Sequence, residues 1–230
     1  MNTSIDPRDF WNRKILTWEK DRYEPARAGS SVLEAWAKRF SGLPARMANA
    51  RKFLLPRVAG RDVVELGCGS GLLAEEMIDA GAKSYRGFDV SDGAVAAATA
   101  RVTASGLADR ISFTVGDVSK LPALKADIVY SLGTLDWLTP EQIQAVFRLS
   151  AQSEFLHSFS ERSASPWRYA HALYVYVSYG HSTGAYVPQY HSMAQLQGWA
   201  KPFVNRPLNV FRDPAMRFGA FVTTFPTNVR

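Results

Sequence analysis

Glu65-Leu66-Gly67-Cys68-Gly69-Ser70-Gly71 decides the fold through what flanks it. Asp62-Val63-Val64-Glu65-Leu66 is a short apolar run that reads as a strand. Gly71 to Ala80 reads as a helix, ended by Gly81. Glycines between a strand and a helix let the chain turn tightly and let a ligand approach the backbone. The N–H groups at the start of such a helix face that ligand.

The same alternation continues downstream. Ser84 to Val90, Arg110 to Val115, Asp127 to Ser131 and Glu154 to Phe159 read as strands. Ser91 to Ser105 and Pro140 to Leu149 read as helices between them. That order implies a parallel sheet with right-handed crossovers. Asn205 to Phe211 and Arg217 to Thr224 then read as two closing strands around Asp213-Pro214, and Ser192 is placed to cap a short helix to Ala200. The expected class is α/β, a Rossmann-like seven-stranded, mostly parallel sheet with an antiparallel last strand. Residues 1–56 read as an N-terminal helical lid, with Asp6-Pro7 as a helix start running to about Tyr23 and a further helix from Ala45 to Leu55. Residues 57–230 read as the main domain, with a cap insertion at about 161–200. Inside that cap, Trp167 to Tyr179 reads as helix, although Leu173 to Val177 also fits a strand.

Two acidic residues share the glycine loop's edge. Asp89 ends the second strand, 22 residues after Gly67, near the spacing of a carboxylate that accepts from ribose hydroxyls. Gly116-Asp117-Val118 follows the third strand. In an open α/β sheet, ligands sit outside the carboxyl ends of the strands. Each acid alone is equally well a cap or a turn. Together with the loop they mark a binding edge.

This spaced set resembles the class I methyltransferases that use S-adenosylmethionine (SAM). The resemblance runs well from Val58 to Tyr130 and loosely beyond. It implies that Glu65, Gly67, Cys68, Gly69 and Gly71 form the first cofactor motif. It implies that Asp89 and Val90 meet the ribose side, and Asp117 and Val118 the adenine. The fourth-strand end, Ser131-Leu132, then lies near the methionine part. In similar enzymes a lid tyrosine and an upstream arginine approach that end, which singles out Tyr23 and Arg46; an exposed helix arginine is the plain alternative. The nicotinamide fingerprint wants a third glycine three residues after the second. Leu72 stands there, so the spacing favours SAM.

The bulk numbers bound the rest. The 230 residues suit one domain with an added cap. Hydrophobic residues make up 47% and charged ones 21%, an ordinary globular composition. Cys68 is the sole cysteine, so no intrachain disulfide forms and a cytoplasmic setting fits. No apolar run is long enough for a membrane span, and Met1 to Lys20 has no secretory h-region. The net charge of +6 comes without a dense Lys/Arg cluster, so a solvated basic surface is favoured over a nucleic-acid partner.

The acceptor is less legible. The Asn/Asp/Ser-Pro-Pro-Tyr/Phe element of nucleobase amino methylation is absent after the fourth strand, where Ser131 to Trp137 stands. No second cysteine exists for pyrimidine carbon chemistry. Asp136 alone makes no metal site, and no metal is expected. These features point to a small-molecule acceptor, with oxygen the expected atom. His157 in the fifth strand and His181 and His191 beside the Gly180 to Tyr190 loop are the candidate bases, each also readable as a packed residue. Ser158-Phe159-Ser160 followed by an aromatic stretch is faintly similar to the magnesium-protoporphyrin O-methyltransferases. The alternatives are an RNA or protein methyltransferase, or a SAM-binding protein without turnover.

Overall fold

A computed structural model describes residues 6–23, 42–164, 166, 168, 169 and 186–227. The helices are α1 (Pro7–Tyr23), α2 (Leu43–Leu54), α3 (Ala74–Asp79), α4 (Asp92–Ala104), α5 (Pro140–Ser150) and α6 (Met193–Ala200). The strands are β1 (Asp62–Leu66), β2 (Ser84–Asp89), β3 (Ile111–Val115), β4 (Ile128–Ser131), β5 (Glu154–Ser160), β6 (Asn209–Arg212) and β7 (Gly219–Thr223). They form one sheet in the order β3-β2-β1-β4-β5-β7-β6. Neighbours from β3 to β5 pair in parallel, and β7 runs antiparallel to both β5 and β6.

The central strands are apolar because both of their faces are covered. Val63, Ile128, Tyr130 and Leu156 face Met47, Ala50 and Phe53 of α2 and Met77 of α3. Val64, Leu66, Val129 and Phe155 face Ile143, Val146 and Phe147 of α5 and Leu196 of α6. No helix among the described residues is long and apolar enough to cross a membrane.

Helix starts follow local hydrogen bonding. Asp6 accepts from the N–H of Arg8 at 2.9 Å, with Pro7 opening α1. Ser91 caps α4 through the N–H of Ala94. Thr139 with Gln142 and Ser192 with Gln195 form capping boxes on α5 and α6.

Four expectations shift. The helix expected from Gly71 begins only at Ala74, because Gly71 is held at φ +67° and a helix cannot start through it. The first closing strand begins at Asn209 rather than Asn205, beyond Pro207, which has no N–H to pair. The helix α2 begins at Leu43, with Pro44 tolerated in its first turn, and it is no lid: Phe53 and Leu54 are fully buried in the main core. Residues 193–200 likewise belong to the core rather than to a cap, since Leu196 and Ala200 pack against the α5 face. The aromatic stretch at 170–179 lies outside the described residues.

Candidate active site

The strand order reverses at β1, whose neighbours β2 and β4 leave in opposite directions. In open α/β sheets ligands bind at such a reversal, outside the carboxyl ends of the strands. The glycine loop lies at this edge, directly after β1. Gly67, Gly69 and Gly71 all sit in the left-handed region, at φ +69°, +52° and +67°. The N–H groups of Gly67 and Cys68 both donate to the carbonyl of Phe88, at 2.7 and 3.1 Å, which ties the loop to β2. A Cβ on Gly67 would stand 2.3 Å from Thr134 Oγ1, and one on Gly71 2.3 Å from Phe113 Cε1. Cys68 is buried, its sulfur packed over Gly87.

Asp89 is the loop's acidic partner. One carboxylate oxygen accepts from Gly69 N–H at 2.8 Å and the other from Ser91 N–H at 2.9 Å. Burial raises its pKa; the N–H groups of Ser91, Gly69 and Val90 oppose that rise. Val90, half-buried, follows it. Asp117 lies at the next strand end, accepting from the N–H and hydroxyl of Ser119 at 2.9 and 2.7 Å. Burial would raise its pKa, but the Ser119 bonds hold it below the usual carboxylate value. Val118 is buried in the core. Ser131 is fully buried at the end of β4 and Leu132 half-buried beside it.

Glu65 is the penultimate residue of β1, two before Gly67. It is 5% exposed, and its Oε2 accepts from the phenols of Tyr85 and Tyr130, on the two strands flanking β1. Burial, then the carboxylate's charge, push both phenols well above their ordinary value. Its place is beneath the loop, as a brace across three strands.

The histidines separate. His157, a candidate base in the sequence, is a core residue. It has no exposed surface, and its ring stacks on Phe155. Ser150 donates its hydroxyl to the Val146 carbonyl and so accepts from His157 Nε2–H at 3.0 Å. Nδ1 then accepts from Ser131 Oγ at 3.0 Å. Burial lowers its pKa to about 3. A buried neutral imidazole contributes stability that is complete above its ordinary value of 6.5 and lost as pH falls toward 3. His157→Gln is therefore expected to flatten the acid side of the stability profile. Thermal melts at about pH 5 and about pH 7.5 test this; an undiminished acid loss in the variant contradicts it. His191 is 5% exposed, its Nε2 3.2 Å from the Leu135 carbonyl and its pKa lowered by burial. His181 and the side chain of Tyr23 lie outside the described residues, although the Tyr23 backbone ends α1.

Aromatic side chains gather at the same edge and form a roof of packed rings. Arg8 holds Asp92 by two bonds of 2.9 and 2.7 Å, and Asn12 accepts from Ser91 Oγ at 2.9 Å, which fastens α1 to the start of α4. Phe10, Trp11, Trp137 and Tyr186 then close on one another, with ring centroids 4.9 to 5.7 Å apart. Burial raises the Tyr186 phenol to about 12; the Trp11 indole N–H opposes this and the charge of Asp89 adds to it.

Arg46 and Asp136 are brought together from 90 residues apart in sequence. Arg46 Nη2 stands 3.8 Å from Asp136 Oδ2, and both residues are buried. Asp136 accepts from the N–H and hydroxyl of Ser160, at 2.6 and 2.8 Å. Sequence reasoning met Asp136 only as an insufficient metal ligand; no local pattern announces a pair this distant.

The comparisons with known proteins agree with this geometry. Residues 63–153 match the model of a methyltransferase domain. The ribosomal protein L11 methyltransferase of Actinobacillus succinogenes is 40% identical over 73 residues, covering 31% of this chain and 24% of that protein. Its counterpart in Haemophilus ducreyi is 35% identical over 86 residues, covering 36% and 29%. The chain thus spans under a third of the length of these relatives. The magnesium protoporphyrin IX methyltransferase of Synechocystis PCC 6803, with bound S-adenosylhomocysteine (SAH), superposes with TM-score 0.66 at 16% identity, covering 94% of this chain and 96% of that one. The phosphoethanolamine N-methyltransferase 2 of Haemonchus contortus, in complex with SAM, gives TM-score 0.64 at 19% identity, covering 91% and 46%. Residues 63–153 thus match a methyltransferase domain, and the chain shares the fold of the SAM-dependent methyltransferases it superposes on.

Proposed function

We propose that the chain binds SAM along the β1/β4 edge and transfers its methyl group to a small organic acceptor, at oxygen. The observation that carries this is the loop of three left-handed glycines tied through Gly69 N–H to the buried carboxylate of Asp89. A Cβ at Gly67 or Gly71 would run into Thr134 or Phe113, so this tight turn demands glycine, and its bare backbone fits a ligand laid against it. In this reading Asp89 accepts from the ribose hydroxyls. Asp117, Val118 and Val90 border the adenine. Ser131, Leu132 and Arg46 border the methionine end, with Tyr23 at the end of α1.

The sulfonium of bound SAM supplies an already activated methyl group. The chain's own task is then to align an acceptor in line with that methyl and to exclude water. The roof of Phe10, Trp11, Trp137 and Tyr186 serves both ends, and its closed apolar rings suit a compact acceptor better than a polypeptide. An ionised carboxylate acceptor needs no base, whereas a hydroxyl does. His191 and His181 are the histidines this reading keeps for that role.

A protein acceptor is the second reading, favoured by the identity to the ribosomal protein L11 methyltransferases. That match covers 31% of this chain and 24% of that protein, too little to carry over its acceptor. Incubating the protein with methyl-labelled SAM and fractionated cell extract separates the two. Label in the small-molecule fraction is the expected result. Label confined to protein or RNA contradicts the proposal.

A further inference from the structure

We propose that Asp136 is a positioning residue for the amino-acid end of the cofactor: it holds the Arg46 guanidinium by charge alone and leaves the donors of that guanidinium free for a carboxylate. The inference rests on the SAM reading above.

Arg46 stands where a cation is disfavoured. It lies in the first turn of α2, at the positive end of the helix, and that turn holds no acidic residue. Its side chain is 10% exposed, so its charge is largely out of water. Asp136 is its ion-pair partner among the described residues, at 3.8 Å. That distance is beyond a hydrogen bond. The hydrogen bonds of the Asp136 carboxylate come instead from Ser160, whose N–H and hydroxyl each donate to one of its oxygens. Asp136 therefore compensates the charge of Arg46 without consuming its N–H groups. Among the described residues the Arg46 side chain donates no hydrogen bond.

The surroundings are cleared for a ligand. Nη1 stands 2.9 Å from where a Cβ on Gly133 would be, and Nη2 3.6 Å from the same place on Gly219. Gly133 comes two residues after Ser131, at the end of β4. A guanidinium walled by backbone presents its planar fork to a carboxylate. Without the charge of Asp136, the cost of burying Arg46 is uncompensated and its long side chain turns out to water. That loss of placement opposes the gain from removing a nearby negative charge, and a buried unpaired guanidinium makes it the larger effect.

Calorimetry with SAH and with 5′-methylthioadenosine, which lacks the amino-acid portion, tests this. Asp136→Asn is expected to weaken SAH about tenfold and to leave 5′-methylthioadenosine within about twofold. Arg46→Gln is expected to show the same split. The double variant removes both charges, and it is expected to bind SAH no more weakly than Arg46→Gln alone. Unchanged or tighter SAH binding by Asp136→Asn overturns the proposal, as does an equal loss for both ligands. A double variant weaker than Arg46→Gln places the contribution of Asp136 elsewhere and also overturns it. Failure of the unaltered protein to bind either ligand refutes the cofactor reading instead.

Discussion

Asp89→Ala is expected to weaken SAH binding by about a hundredfold or more, the largest effect of any single side chain at the site. Two losses combine. The hydrogen bonds that a buried carboxylate offers to ribose hydroxyls disappear, and bonds to charged groups contribute about 1.5–3 kcal/mol each. Gly69 N–H and Ser91 N–H also lose their acceptor, so the loop is no longer tied to the end of β2. Asp89→Asn keeps one acceptor oxygen at the same place and is expected to fall between. Isothermal calorimetry on the three proteins checks the order. Equal affinity in Asp89→Ala and the unaltered protein would remove Asp89 from the cofactor site.

Gly67→Ala is the second large effect, and it acts on both stability and binding. At φ +69° an L-residue is strained by about 1–2 kcal/mol. The added Cβ would also meet Thr134 Oγ1 at 2.3 Å. Thr134 has little freedom to retreat, because its hydroxyl donates to the Leu66 carbonyl at 3.1 Å. The turn after β4 must therefore shift, carrying Gly133 with it. A fall in melting temperature of about 5 °C and an SAH affinity at least about tenfold lower are expected. Gly106→Ala is the matched control. It has nearly the same φ, +70°, but nothing within 4 Å of its Cβ and no place at the carboxyl edge. It is expected to lose stability from strain alone while binding SAH normally. If both variants bind SAH alike, the loop does not contact the cofactor.

How much of this was legible in the sequence depends on the range of the interaction involved. The strands of the sheet were readable because burial on both faces demands continuous apolar runs such as Val63-Val64 and Ile128-Val129-Tyr130. The helix starts at Ser91, Thr139 and Ser192 were readable because a cap is decided within three residues. The start of α3 was not, since three glycines held at positive φ push the first helical turn to Ala74. The membership of α2 in the core was hidden by Arg46, Arg51 and Lys52, which give that helix a surface composition although Phe53 and Leu54 are fully buried.

The site divides in the same way. Asp89 and Asp117 follow from chain spacing, because each strand end is set by the strand before it. His157 could be placed on β5 but not assigned a role. Its ring faces the α5 side, where Ser150 waits, and that depends on strand parity and on how the helix just before β5 packs back on the sheet. Arg46 was a candidate without a partner, because an ion pair spanning α2 and the loop after β4 exists only once the sheet has formed.

Calorimetric titration of the unaltered protein with SAH and, separately, with NADH tests the central claim most directly. Binding of SAH at one site per chain, with no heat from NADH, is the result that this glycine spacing and the Asp89 geometry require. Tight NADH binding without SAH binding would contradict it.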